Sequence, residues 1–288
     1  MARAARDLST RHDSFSVKRF TPAIGGVVEG VDLSQELDDA RIAEIRRALD
    51  EHLVLFFEDQ HLTQRQQRDF AARFGELYIH PVYPTGDEVR ELMLLEYDEK
   101  RRGNNDTWHS DVTYIETPPQ ASVLYSVEIP ETGGDTLWLN TYLAYESLPA
   151  PIQRLAGELR ASHSFAKAFT PERFRQYGIE HQLSGTYADN PPVSHPVVRT
   201  NAQTGRKSLF VNPTFTTHIE GLSHKESEAI LSILFDHLYR PENQMRWRWR
   251  PNTVAFWDNR WAQHYALADY FPNRRRMRRA TILGDRPT

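Results

Sequence analysis

Apolar positions along this chain come mostly in short runs, and several alternate with period two. Leu53 to Phe57 and Ala121 to Val127 are apolar runs of strand length, and Arg246-Trp247-Arg248-Trp249-Arg250 alternates strictly, predicting a strand with one aromatic face. Val254 to Trp257 and Ala280 to Leu283 read as further strands, and Val197-Val198 with Leu209-Phe210-Val211 read as a hairpin around Thr200 to Gly205. Helical spacing is rarer. Ile42, Ile45 and Leu49 form one apolar face behind an Asp38-Asp39 cap, and Thr63-x-x-Gln66 is a capping box for a second helix expected to end on a left-handed Gly75. Pro151 and Pro171 suit the first turns of two inserted helices, and Ser223-x-x-Glu226 opens a last one reaching about Tyr239. Short strands with flanking helices predict a mainly β protein with a double-stranded β-helix (jelly roll) core.

Residues 1–14 are polar and read as a flexible N-terminal segment, leaving 15–288 as a single domain. A net charge of -4 gives no electrostatic reason to expect nucleic acid or an anionic membrane as a partner. The run Arg274-Arg275-Arg276-Met277-Arg278-Arg279 is the exception, and one such run in a balanced chain is a weak nucleic-acid signal. No Cys is present, so any metal must be held by nitrogen and oxygen ligands. The Arg-rich start lacks the apolar stretch of a secretory leader and no run is long enough to span a membrane, so a cytoplasmic location is expected.

Candidate chemistry centres on Trp108-His109-Ser110-Asp111. In a strand, His109 and Asp111 would point to one side and bring an imidazole and a carboxylate together. A second His would complete a 2-His-1-carboxylate set that leaves coordination positions open, and His264, near a C-terminal strand, is the candidate. The other two His-x-Glu matches, at His218 and His224, flank the helix start at Ser223 and fit a solvated cap better than a metal site. Arg275 and Arg279 share one face of a strand, with Arg274, Arg276 and Arg278 turned to solvent. Two inward guanidiniums near a metal imply anionic small molecules in the pocket. Thr136, after the Gly133-Gly134 turn, could donate to a carboxylate held by Arg275. His80, Tyr83 and Asn105 are polar groups in loops, where binding residues concentrate.

The segments WHSDVTYIETPP, GGDTLW, WDNRWAQHYALADY and RRMRRATILGDRP together resemble the TauD/TfdA family of Fe(II)/2-oxoglutarate-dependent dioxygenases, its taurine-oxidising members above all. The likeness runs from about Phe15 to Pro287. It implies Fe(II) held by His109, Asp111 and His264, with 2-oxoglutarate and O2 as co-substrates and the distal carboxylate of 2-oxoglutarate on Thr136 and Arg275. His80, Tyr83, Asn105, Val112, Phe169, Phe215 and Arg279 match the family's sulfonate pocket, with His80, the Val112 amide and Arg279 on the sulfonate. The activity implied is oxygenolytic desulfonation of taurine or a related small alkylsulfonate, in a homo-oligomer, dimer or tetramer. Alkyl sulfate ester cleavage is the sister alternative; a zinc hydrolase and a non-enzymatic metal- or anion-binding β protein are more distant ones. Asn104 and Ala168 depart from the taurine pattern, where an Asp and a Ser would be expected near the amine.

Overall fold

Val54–Phe57 shows how the main sheet divides its faces. All four residues are buried, Val54 and Phe56 in a cluster with Trp138 and Trp247, Leu55 and Phe57 in another with Ile45, Phe70 and Phe74. A strand covered on both sides reads as a continuous apolar run because neither face meets water. A computed structural model describes residues 9–12, 14–86 and 88–288. Most of the N-terminal segment thus lies outside the described residues, while Ser9–Arg11 forms a short strand paired with Ser16–Arg19.

The main sheet has eight strands in the order Ser9–Arg11, Ser16–Arg19, Gly26–Glu29, Val54–Phe57, Val254–Asp258, Ala121–Glu128, Arg275–Ile282 and Leu92–Tyr97. Only the Gly26–Glu29 and Val54–Phe57 pair is parallel. A three-stranded sheet, Gln244–Trp247, Thr136–Asn140 and Ala262–Ala266, shares the inner core with it. Phe56 of the large sheet stacks on Trp247 of the small one, with ring centroids 3.8 Å apart, and meets Trp138 edge-on at 5.4 Å. Strand content and flanking helices make this a mainly β architecture.

Helices Asp39–His52 and Gln64–Ala72 cover the outer face of the large sheet. Asp38 caps the first by accepting from the Arg41 amide, and Thr63 with Gln66 closes a capping box on the second. Two boundaries differ from expectation. The second helix ends at Ala72 with Arg73 still right-handed, and Gly75, at φ 154°, lies beyond it in near-extended backbone instead of capping it. The Arg-Trp alternation is a regular strand only to Trp247, yet Trp249 stays buried because its indole finds an acceptor inside. Helices Thr141–Glu146 and His224–Leu238 pack with the hairpin Val198–Thr200 and Lys207–Leu209 in a third core. Among the described residues, no helix is long and apolar enough to cross a membrane.

Candidate metal centre

His109 and His264 are neighbours through their backbones before their side chains meet. They form an isolated antiparallel bridge, His109 N–H to His264 O at 3.0 Å and His264 N–H to His109 O at 2.8 Å. Side chains directly opposite in such a pair lie on one face, and here the ring centroids are 4.2 Å apart. Asp111 arrives differently from the strand alternation expected of it. His109 is a single bridge residue, and the chain then turns, with Val112 in the left-handed region at φ 52°. The turn, not a pleat, brings the carboxylate round. One ligand atom from each of His109, Asp111 and His264 lies within 4.8 Å of the others, and all three residues are buried.

Protonation states suit a cation. Burial pushes both His109 and His264 below the ordinary histidine range, His264 well below it, so the rings are neutral and keep a lone pair each. His109 Nδ1 lies 2.7 Å from the Thr107 carbonyl and can only donate to it, which leaves the lone pair on Nε2, the atom facing Asp111. Burial alone would raise the Asp111 carboxyl, but Arg279, His264, His109 and the Ser122 hydroxyl outweigh it and hold it down to about 2. Arg279 Nη1 donates to Asp111 Oδ1 at 2.7 Å and Ser122 Oγ to Oδ2 at 2.7 Å. Behind them, Asn259 donates to Ser122 and accepts from the Asp111 amide and the Trp257 indole. Two neutral imidazoles and an ionised carboxylate, with His109 held by the Thr107 carbonyl and Asp111 by Ser122 and Arg279, fit a divalent metal with open positions.

Two cavities adjoin the triad. The smaller, about 30 Å³, is lined by His109, His264, Thr136, Tyr270, Arg275 and Arg279 among others. Arg275 is the unusual member: its Nε and Nη2 are buried without a hydrogen-bond partner, and no described carboxylate pairs with it. Burial accordingly pushes its pKa down. An unpaired buried cation is costly, so an anionic ligand would relieve it. Beside it, Trp249 Nε1 donates to Thr136 Oγ1 at 2.9 Å, leaving the threonine proton free for an acceptor. Gly134, at φ 72°, lets the backbone pass the guanidinium, since a Cβ there would lie 3.1 Å from Arg275 Cδ and Nε.

The larger cavity, about 240 Å³, contains His80, Tyr83, Asn105, Val112, Phe169, Phe215 and Arg279 in its walls together with His109 and Asp111. Every site residue expected from the sequence therefore lies at the triad or in one of these two cavities. His80 Nδ1 accepts from the amides of Val82 and Tyr83, which leaves its proton on Nε2, 3.2 Å from the Tyr114 hydroxyl. The split of faces expected of the arginine run holds, with Arg275 and Arg279 buried and Arg276 paired outward with Glu96, but Arg278 is half-buried over Tyr125 and donates to the Leu62 carbonyl instead of facing solvent. Ser122, Trp249, Asn259 and Arg173 were not singled out from the sequence. Asn259 and Trp249 sat inside conspicuous aromatic motifs, which is the signal that could have found them.

A mainly β fold carrying a buried His/Asp/His site with an unpaired arginine beside it defines a class, the non-haem metal proteins that take an acidic small molecule next to the ion. A family model described as "Taurine catabolism dioxygenase TauD, TfdA family" matches residues 16–281, and the chain belongs to that family. It is 39% identical to an alpha-ketoglutarate-dependent sulfate ester dioxygenase of Pseudomonas putida, covering 92% of this chain and 88% of the relative. An alkylsulfatase of Acinetobacter baylyi is 37% identical over 93% of this chain and 85% of its own length. Among solved structures, a taurine dioxygenase from Burkholderia xenovorans superposes with a TM-score of 0.82 at 38% identity, covering 96% of this chain and 91% of that one.

Proposed function

We propose that this chain is an Fe(II)- and 2-oxoglutarate-dependent dioxygenase that oxidises the carbon bearing the sulfur group of a small alkylsulfonate or alkyl sulfate ester. The observation that carries the assignment is Arg275, a buried guanidinium with free donors in the small cavity beside the triad. The donors there match a dicarboxylate such as 2-oxoglutarate, whose distal carboxylate would take Arg275 and Thr136 while its keto-acid end reached toward His109, Asp111 and His264. Family membership and the relatives' named activities support the same cofactor set. The two sheets that share the aromatic inner core support a double-stranded β-helix as the scaffold.

When bound, Fe(II) couples oxidative decarboxylation of 2-oxoglutarate by O2 to insertion of one oxygen atom into a substrate C–H bond, the other atom entering succinate. The chain's own residues supply position and dryness. In the large cavity Arg279, the neutral His80 and the Val112 amide would bind the sulfo group beside the triad. Phe169, Phe215 and Tyr83 wall off water around the reacting carbon. A sulfonate hydroxylated at that carbon collapses to an aldehyde and sulfite; a sulfate ester gives an aldehyde and sulfate.

The test is anaerobic loading with Fe(II) and 2-oxoglutarate, then O2 with alkylsulfonates and alkyl sulfates, scoring succinate, sulfite and sulfate. Succinate stoichiometric with either sulfur product is expected. Succinate formation indifferent to every sulfur compound would exclude this substrate class.

A further inference from the structure

A second guanidinium, Arg173, lines the large cavity, and its hydrogen-bond partners are all neutral. Arg173 Nη1 donates to the Ala168 carbonyl at 3.0 Å, and Nη2 to the Asn104 carbonyl at 2.8 Å, Asn105 Oδ1 at 2.9 Å and the Tyr83 hydroxyl at 3.3 Å. Its Nε is buried without a partner, and no carboxylate among the described residues lies within ion-pair distance of it. Phe169 packs under the guanidinium at 5.1 Å. Arg175, two positions on, is exposed and pairs with Glu172. Lys167 lines the same cavity and donates to the Thr216 carbonyl.

Three cations therefore line the cavity against one carboxylate, Asp111, which Arg279 already holds. An ammonium group beside Arg173 would meet like charge. Asn104 supplies no opposing charge: its amide donates to Gln176 Oε1 at 2.9 Å, and its buried Oδ1 is only a neutral acceptor. A guanidinium left with neutral acceptors in a partly desolvated wall matches an anion far better than it matches an amine.

We propose that Arg173 is a specificity-determining residue that pairs with a second acidic group of the substrate, so that this enzyme takes short organosulfur acids bearing a carboxylate as well as the sulfo group and rejects aminated ones such as taurine. This rests on the dioxygenase assignment above and narrows its substrate. The sulfo group takes Arg279 and the carboxylate takes Arg173.

The experiment titrates four probes into the anaerobic protein saturated with Fe(II) and 2-oxoglutarate: 3-sulfopropanoate, propane-1-sulfonate, taurine and succinate. Tighter binding of 3-sulfopropanoate than of propane-1-sulfonate by about 30-fold or more is expected, with taurine weakest. Arg173→Gln should collapse that ratio to about 3-fold or less, and Arg173→Lys, which keeps the charge but not the fork, should hold an intermediate ratio. A residue that merely clamps the loop would weaken all probes together and leave the ratio untouched, which would overturn the assignment. So would propane-1-sulfonate binding as tightly as 3-sulfopropanoate in the wild type. Succinate binding as tightly as 3-sulfopropanoate, with the same dependence on Arg173, would support the anion site while overturning the sulfur chemistry.

Discussion

Ser122 holds Asp111 from behind: its hydroxyl donates to Oδ2 at 2.7 Å, on the side of the carboxylate opposite the oxygen that faces the two imidazoles. The serine in turn accepts from Asn259, so a strand of the large sheet and the loop after Trp257 jointly aim the ligand. Ser122→Ala should lower Fe(II) affinity about 10- to 100-fold, the usual cost of losing an outer-sphere partner. Equilibrium titration with Fe(II) under anaerobic conditions reads it directly. Unchanged affinity would mean that Arg279 alone orients the carboxylate.

Loss of a first-sphere ligand should be more severe. His109→Ala, Asp111→Ala and His264→Ala are each expected to abolish iron-dependent turnover and bring bound iron well below one equivalent, with the fold intact. Iron stoichiometry and circular dichroism settle this together. Because the metal binds only the folded chain, a divalent ion at about 100 times its Kd should also raise wild-type stability by about 2.7 kcal/mol. A chelator should remove that increment, and the three variants should never show it.

Arg275 and Arg279 should divide the two anionic ligands between them. Arg275→Leu is expected to cost on the order of 2 to 5 kcal/mol of 2-oxoglutarate binding, and Arg279→Leu mainly substrate binding. Separate titrations with each ligand test the division. Equal weakening of both ligands by both variants would count against it.

A pH effect on stability follows from His195, buried against the Ile115 carbonyl with Nε2 3.0 Å from the oxygen. Burial pushes its pKa down to about 4, below the ordinary value near 6.5 that the unfolded chain would show. The unfolded state then takes up the proton first, so this histidine's contribution is complete above about pH 6.5 and is lost as pH falls toward about 4. His195→Gln should flatten the stability profile in that window by up to about 1.4 kcal/mol per pH unit. Urea unfolding of both proteins at half-unit intervals measures the difference. Parallel profiles would show that the imidazole titrates normally.

How much could be foreseen depended on whether a feature is local in sequence. Capping at Thr63 and Ser223 and the two-faced strand Val54–Phe57 were legible because each is set by neighbouring residues. His109, Asp111 and Arg275 were legible because metal and anion chemistry restricts the residue types that serve. The turn at Val112 was not, since nothing about a valine announces φ 52°. Ser122, Asn259 and Arg173 act through partners far along the chain or in other loops, and a serine in an apolar strand carries no pattern of its own. Trp249 looked like core aromatic packing, and only the fold shows its indole bound to Thr136.

The backbone bridge between His109 and His264 has a kinetic meaning as well. Two peptide hydrogen bonds fix the backbone spacing from which the two imidazoles project, so this half of the chelate is gathered before any ion arrives. An arriving ion would therefore exchange its water for donors already gathered on a folded backbone. Loading and release should then follow the ion's own water-exchange rate, and different divalent ions should differ in how fast they enter far more than in where they sit.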